Sequence, residues 1–229
     1  MFNKARDIIL DFFCVLDNDD YTVIYTKSDT EGLNALANVL IQDKDDMVLT
    51  TRMEHHANDL PFRRVAKMVY VEVDVLGRIN IDDIEEELIK ANGKIKVVTI
   101  TGASNVTGYI TPIHDIARLA HKYGAVIIVD GAQLIAHREV NLAGNSKDEE
   151  IDFLTFSAHK AYAPFGSGAI VGKKDYLNEE DPFLSGGGCV AGVFDERLIW
   201  TAVPEKYEAG TQNFFGAIAM ACLLYTSDA

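Results

Sequence analysis

Cysteine, basic residues and long apolar runs are all scarce in this sequence. Cys14, Cys189 and Cys222 are its only cysteines. Their number and spacing fit neither a disulfide framework nor a paired metal motif, which favours a reducing compartment. No run approaches the ~20 consecutive apolar residues that a membrane span requires, and the N-terminal residues do not resemble a secretory signal. We therefore expect a cytoplasmic protein that does not cross a membrane.

The charge balance excludes two further classes of partner. The 21 Lys and Arg residues are outnumbered by 35 Asp and Glu residues, so the formal net charge is −14. Nucleic acids and anionic membrane surfaces are bound by clustered cations, and we expect no binding to either. In contrast, 229 residues of which 48% are hydrophobic can bury a sizeable core without metals or disulfides.

Strand-like apolar runs alternate with amphipathic helical patterns along the chain. Ile81, Ile84, Leu88 and Ala91 recur at helical spacing, as do the apolar residues between 113 and 120. Alternating strands and helices need crossover connections, so the pattern predicts a three-layer α/β/α fold with a mostly parallel central sheet. The predicted strands are Tyr21–Thr26, Met47–Thr51, Val69–Val73, Ile95–Thr101, Ala125–Asp130, Phe153–Phe156 and Gly168–Val171.

The second helical pattern has recognisable ends, and a buried strand follows it. Thr111 is predicted to be the N-cap, Pro112 the first helical residue and Gly124 the residue that ends the helix. The run Ala125–Val129 is apolar throughout, which is typical of a central strand covered on both faces.

Polar groups follow five of the predicted strands, where ligands bind in open parallel sheets. They are Ser28–Gly32, Glu54–His56, Ser104–Asn105, Asp130–Gln133 and Ser157–Lys160. Their repeated occurrence at successive strand ends predicts one shared site.

Lys160 and Asp130 are the most informative of these residues. A lysine directly after a buried strand can be desolvated enough to act as a nucleophilic amine, although most lysines lie on the surface. Asp130 alone is equally well explained as the first residue of an Asp-Gly turn. Together they can hold an aldehyde and a protonated pyridine nitrogen, the pairing that pyridoxal phosphate needs.

The remaining candidates each have a structural alternative. The segment Ser28–Gly32 can cradle a phosphate at a helix start, or Asp29 or Thr30 can be an ordinary N-cap. His55 or His56 can stack on a flat ring, but we reject zinc because no third ligand has a metal-motif spacing. Cys189 is interpreted as a small structural side chain.

At these residues the sequence resembles the class V aminotransferase group of fold-type I pyridoxal-phosphate enzymes, and within it the cysteine desulfurase and selenocysteine lyase branch. The similarity runs from about Thr26 to Ala221. The matching stretches are Asp29–Asn34, Met53–Asn58, Ser104–Gly108, Val129–Gln133, Ser157–Lys160 and Glu208–Thr211.

The resemblance implies a role for each matching residue. Lys160 forms the aldimine with the cofactor and shuttles the substrate's α proton, Asp130 pairs with the pyridinium nitrogen, and His55 stacks on the ring. Gln133 bonds the ring hydroxyl, and Asn105 lies at the same edge. The residues implied to hold the phosphate are Asp29, Thr30, Ser157, His159 and, from a neighbouring subunit, Thr211. A homodimer, a cysteine or selenocysteine substrate and a sulfur-acceptor protein follow from the same resemblance.

The sequence also departs from the family pattern. Asp29 stands where a small or hydroxyl residue is commoner, and the nucleophilic cysteine and the substrate-binding arginine are missing. We expect an atypical segment at 1–20, an incomplete cofactor-binding large domain at 21–221 without its small C-terminal domain, and a non-native tail at 222–229. Alternative functions are an aminotransferase, an epimerase, a kynureninase-like hydrolase, or a truncated chain without turnover.

Overall fold

The computed structural model describes residues 2–15, 17–164, 166–178 and 180–227. The strands are β1 Tyr21–Thr26, β2 Met47–Thr51, β3 Lys67–Val71, β4 Ile95–Thr101, β5 Val126–Asp130, β6 Phe153–Ser157, β7 Gly168–Lys173, β8 Val190–Phe194 and β9 Arg197–Trp200. The α-helices are α1 Phe2–Phe12, α2 Asp29–Leu40, α3 His56–Arg63, α4 Ile81–Ala91, α5 Ile113–Lys122, α6 Asp175–Asn178 and α7 Phe214–Ser227.

Within these described ranges, seven strands form one sheet in the order β1-β7-β6-β5-β4-β2-β3. The pairs β2–β3, β2–β4, β4–β5 and β5–β6 are parallel, whereas β7 is antiparallel to both of its neighbours. β1 therefore runs in the same direction as β6, and the turns that follow β1, β2, β4, β5 and β6 reach the same edge of the sheet. The mostly parallel sheet predicted from the alternating pattern is confirmed.

Two apolar clusters cover the two faces of the sheet and complete the three layers. One contains Ile9 of α1, Leu88 of α4 and Ile116 of α5, all packed on the same face. The other contains Leu36 of α2 and Phe62 of α3 on the opposite face. β5 is the middle strand, and the burial of its apolar run on both faces agrees with the prediction.

Several predicted boundaries were wrong by one or two residues, and two of these differences have a local reason. β3 ends at Val71, because Val73 pairs with Ile79 in an isolated bridge across a turn. Pro112 is the N-cap of α5 rather than its first residue, and no side chain caps this helix. The Thr111 hydroxyl is instead buried without a hydrogen-bond partner.

The two ends of the described chain are helical. α1 and α7 pack on the same face of the sheet, where Ile9 and Met220 belong to one apolar cluster. α7 runs without a break across the predicted boundary at 221/222. The predicted boundaries at 20/21 and 221/222 stay predictions. No helix in the described ranges combines the length and the apolar character needed to cross a bilayer.

A charge cluster at the opposite edge of the sheet gives a pH-dependent stability. His121 Nε2 lies 2.9 Å from Asp152 Oδ2, and this bond raises the pKa of His121 above its usual 6.5. A raised histidine pKa stabilises the fold fully below 6.5, and the contribution is lost as the pH rises through the folded pKa. Because the bond is charge-assisted and half-buried, we expect it to contribute about 1 kcal/mol at acidic pH.

Urea unfolding at pH 6 and pH 9 measures this contribution. His121→Asn should lower the free energy of unfolding at pH 6 more than at pH 9, whereas the same change at exposed His137 should affect neither. An equal loss at the two pH values would show that the charge of His121 does not stabilise the fold.

Candidate functional site

A cavity of about 300 Å³ lies at the edge of the sheet where the turns after β1, β2, β4, β5 and β6 meet. Nine of the ten residues predicted for the site line it, and Ser28, Ala57, Thr101, Ala103 and Ala132 complete the lining. The nine are Asp29, Thr30, His55, Asn105, Asp130, Gln133, Ser157, His159 and Lys160. Residues that are more than a hundred positions apart in sequence are therefore neighbours here, as the shared edge of parallel strands predicted.

Lys160 lies on a short 3₁₀ turn, Ala158–Ala161, that follows β6 directly. The turn ends at Tyr162, whose φ of 68° is in the left-handed region, and this reverses the chain. The Ala158 amide donates to Ser167 O at 2.9 Å, which ties the turn to the residue before β7. The Lys160 side chain is consequently half-buried in the cavity rather than extended into solvent.

Asp130 is the last residue of β5, and only 2% of it is exposed. Its Oδ1 accepts the Ala132 amide at 2.9 Å, so the predicted Asp-Gly turn is present, but the carboxyl also lines the cavity. Burial raises the pKa of Asp130, and the hydrogen bond from the Ala132 amide and the nearby Lys160 counteract part of this effect. A desolvated carboxyl of this kind gains most from a cationic N–H partner.

The turn after β1 lines the same cavity. Ser28 is the N-cap of α2, and its Oγ accepts the Glu31 amide at 3.3 Å. The cap is therefore one residue before Asp29 and two before Thr30, the two predicted caps. The Asp29 amide donates to Ser157 Oγ at 2.8 Å and so connects the starts of two site segments. The first turn of α2 directs the positive end of its dipole into this part of the cavity.

The Asp29 carboxyl is buried beneath this turn. Thr155 Oγ1 of β6 donates to Asp29 Oδ1 at 2.6 Å, and 5% of Asp29 is exposed. Burial, followed by repulsion from Asp130, raises the pKa of Asp29 to about 7. The cavity thus holds a second buried acid whose pKa is raised.

Close approach of β7 to this turn requires a glycine at position 168. A Cβ there would lie 2.6 Å from Phe156 O and 2.9 Å from Ser28 Cα, and both neighbours are backbone atoms that cannot rotate away. Gly168→Ala should therefore destabilise the protein by about 1–3 kcal/mol through overpacking and should displace the Ser28 cap. Gly187→Ala, where a Cβ meets nothing within 4 Å, is the matched control in urea unfolding. Equal stability of the two variants would contradict this packing.

His55 is the N-cap of α3, with Nδ1 accepting the Ala57 amide at 3.1 Å. This bond fixes the orientation of the ring and leaves Nε2 to carry the hydrogen of the neutral form. His56 is the first residue of α3 and does not line the cavity. Of the two histidines left open by the sequence, His55 is therefore the one in the site.

A buried polar network beneath His55 was missed by sequence reasoning. Thr51 Oγ1 and Asn58 Nδ2 each donate to the Glu54 carboxyl at 2.6 Å, and Thr99 Oγ1 donates to Asn58 Oδ1 at 2.5 Å. Burial raises the pKa of Glu54 to about 8. The sequence pattern that could have indicated this network is the spacing of Glu54 and Asn58, which are four residues apart and flank the histidine pair.

Thr211 is the predicted site residue that the structure does not bring into this cavity. It lines a separate cavity of about 160 Å³ with Tyr25, Lys27 and Asn213. Cys189 is also elsewhere: it is fully buried, and its Sγ donates to Gly186 O at 3.0 Å. The interpretation of Cys189 as a structural side chain agrees with this contact.

Comparison with known proteins assigns the chain to a family. The family model described as aminotransferase class-V matches residues 1–227. The chain belongs to the class-V aminotransferase family. Among curated class-V relatives, the cysteine desulfurase of Synechococcus elongatus is 32% identical over 232 residues, covering 97% of this chain and 36% of the relative. The cysteine desulfurase of Haloferax volcanii is 36% identical over 218 residues, a match that covers 92% of this chain and 49% of that relative.

Solved structures superpose on the whole of this chain. The cysteine desulfurase CsdA of Escherichia coli superposes with a TM-score of 0.88 at 28% identity, covering all of this chain and 57% of CsdA. The apo cysteine desulfurase of Thermococcus onnurineus superposes with a TM-score of 0.86 at 30% identity. The match covers 99% of this chain and 56% of that protein. The chain spans about half the length of these relatives or less.

Proposed function

We propose that this chain is the cofactor-binding part of a pyridoxal-phosphate-dependent cysteine desulfurase or selenocysteine lyase. The observation that carries the proposal is that Lys160 and the buried Asp130 carboxyl line one cavity together with the start of α2. When bound, pyridoxal phosphate supplies an aldehyde that condenses with amines and a ring that withdraws electrons from an amino acid's Cα. Similarity to the cysteine desulfurases of S. elongatus and H. volcanii supports this choice of reaction.

The donors around the helix start fit a phosphate group. Ser157 Oγ accepts the Asp29 amide, so its own hydrogen can be donated to a phosphate oxygen. Thr30 and His159 line the same cavity, and the α2 dipole favours negative charge at this helix start. We assign the phosphate to this end of the cavity.

The other side chains fit the ring. The Asp130 carboxylate holds a proton on the pyridine nitrogen, which in turn stabilises the carboxylate in its buried position. His55, oriented by its bond to Ala57, covers one face of the ring. Gln133 and Asn105 line the same cavity, and we assign them to the ring hydroxyl and its neighbouring edge.

Lys160 Nζ has two tasks. It would hold the cofactor through the aldehyde that the cofactor supplies. It would also be the base in the cavity that accepts the proton from the substrate Cα.

We further propose a small amino-acid substrate of the cysteine or selenocysteine class, a sulfur-acceptor protein and a homodimer. Thr211 lies outside the cavity of its own chain, which is consistent with its reaching the phosphate bound by a neighbouring subunit. The β8–β9 hairpin exposes Val193, Phe194 and Leu198, and exposed apolar surface of this kind supports subunit pairing.

A second candidate function is favoured by the positions of the thiols. None of Cys14, Cys189 and Cys222 lines the cavity, so the described chain brings no thiol nucleophile to it. An aminotransferase, epimerase or kynureninase-like hydrolase would use the same Lys160 and Asp130 without a thiol. A truncated chain without turnover would use neither residue for catalysis.

Product analysis separates these functions. The protein is incubated with pyridoxal phosphate and cysteine, and with selenocysteine in parallel. Alanine released together with sulfide or selenide supports the proposal, whereas a keto acid supports an aminotransferase. A visible cofactor band without any product supports binding without turnover. Absence of the band at every cofactor concentration contradicts the proposed function itself.

A further inference from the structure

Asp29 places a carboxyl group among the residues that we assign to the phosphate. It lines the same cavity as Thr30, Ser157 and His159. Its amide is bonded to Ser157 Oγ and its carboxyl to Thr155 Oγ1, so backbone and side chain are both fixed. An anion entering this end of the cavity therefore meets another acidic group.

The start of α2 packs closely against β6 and β7. A Cβ on Gly32 would lie 3.3 Å from Thr155 Cγ2 and 3.1 Å from Ile170 Cγ1, so the first turn already lies against the sheet. The Asp29 carboxyl, 5% exposed, consequently cannot rotate into bulk water without losing the Thr155 bond.

The ionisable groups around Asp29 come from four directions. Asp130 on β5 repels its negative charge, and Lys160 on the turn after β6 attracts it. His159 on that turn and His55 at the start of α3 line the same cavity. Glu31 lies on the same helix as Asp29, and its carboxylate accepts a hydrogen bond from the Lys27 amide at 2.5 Å. β7 contributes Gly168 and Ile170 beneath α2, neither of which ionises.

A phosphate monoester adds about −1.5 to −2 charges at pH 7, and like charges in a water-poor cavity oppose each other strongly. Building on the proposed function, we propose that the Asp29 carboxyl takes up one proton from solvent when the cofactor phosphate binds. This chain then holds the phosphorylated cofactor less tightly as the solution becomes alkaline.

The sign of the effect follows from the ordinary titration of the site. Because burial raises the pKa of Asp29 to about 7, the carboxyl is mostly protonated below pH 7 and phosphate binding costs nothing there. Above pH 7 each binding event must draw a proton from solvent, so the affinity falls by about tenfold per pH unit. The second ionisation of the phosphate, near pH 6, is complete in this range and adds no slope.

The test compares pyridoxal phosphate with pyridoxal, which has the same aldehyde and ring but no phosphate. Dissociation constants for both are measured by equilibrium dialysis with the 229-residue chain at pH 7, 8 and 9. The Lys160 and Asp130 contributions are common to the two ligands and cancel in the ratio. We expect the preference for pyridoxal phosphate to fall by about tenfold per pH unit in the wild type and to be flat in Asp29→Asn.

Asp82→Asn is the matched control, because Asp82 is an exposed acid in the first turn of α4 and should leave the wild-type slope unchanged. Calorimetry on the wild type in buffers of different ionisation enthalpy does not depend on a variant. It should report about one more proton taken up per pyridoxal phosphate than per pyridoxal at pH 8.5. Equal proton uptake, or a wild-type slope kept in Asp29→Asn, overturns the inference while the proposed function stands. Failure of both ligands to bind at every pH overturns the proposed function instead.

Discussion

Lys160→Ala is expected to abolish the covalent attachment of pyridoxal phosphate. The wild type should develop a visible absorbance band when cofactor is added, because the Lys160 amine lines the cavity and reacts with the aldehyde. The variant retains Asp130 and the α2 start, so it can bind the cofactor without attaching it. The absorbance spectrum of the dialysed protein measures the difference.

Two controls make this result specific. Lys122→Ala removes an exposed lysine on α5 that is paired with Glu85, and it should leave the band intact. Urea unfolding of Lys160→Ala should show little change from the wild type, since the lysine is only half-buried. A full band in the Lys160 variant would show that another amine holds the cofactor.

Asp130→Asn is expected to leave attachment possible but to remove the proton from the cofactor's ring nitrogen. Asparagine can still accept the Ala132 amide through its side-chain oxygen, so the turn after β5 is preserved. It carries no negative charge, however, and a neutral partner cannot keep the pyridine nitrogen cationic inside the cavity. We expect proton removal from the substrate Cα to slow by about a hundredfold or more.

The ring nitrogen can be observed directly with ¹⁵N-labelled pyridoxal phosphate. The wild type should give the chemical shift of a protonated ring at pH 8, and Asp130→Asn the shift of a neutral ring. Asp59→Asn is the control and should resemble the wild type. It changes an acid of α3 that accepts a hydrogen bond from Tyr70 of β3. Identical nitrogen shifts in Asp130→Asn and the wild type would remove Asp130 from this role.

The core of the fold was predictable because its signal is periodic. The apolar run before Asp130 and the helical spacing around Leu88 each specify a burial pattern that the structure reproduces. The order of the strands was not predictable, since nothing local distinguishes β7, which is antiparallel to its neighbours, from the parallel strands. Pro112 was misplaced by one residue because no side chain caps α5.

The candidate site was predictable to the extent that its residues follow strand ends. His159 and Lys160 directly follow β6 and could be placed at the cavity from sequence alone. Contacts between distant segments could not: the Asp29–Thr155 bond joins residues 126 positions apart. The Glu54–Asn58–Thr99 network depends in the same way on how β4 packs beneath α3.

The most direct test of the proposed site is to identify the lysine that carries the cofactor. The chain is incubated with pyridoxal phosphate and reduced with borohydride, and the labelled peptide is identified by mass spectrometry. Lys206 is the informative competitor, because burial lowers its pKa and could make it a reactive amine without any cofactor site. We predict a single label on Lys160. A label on Lys206, or one spread over surface lysines, would contradict the assignment of this cavity as a pyridoxal-phosphate site.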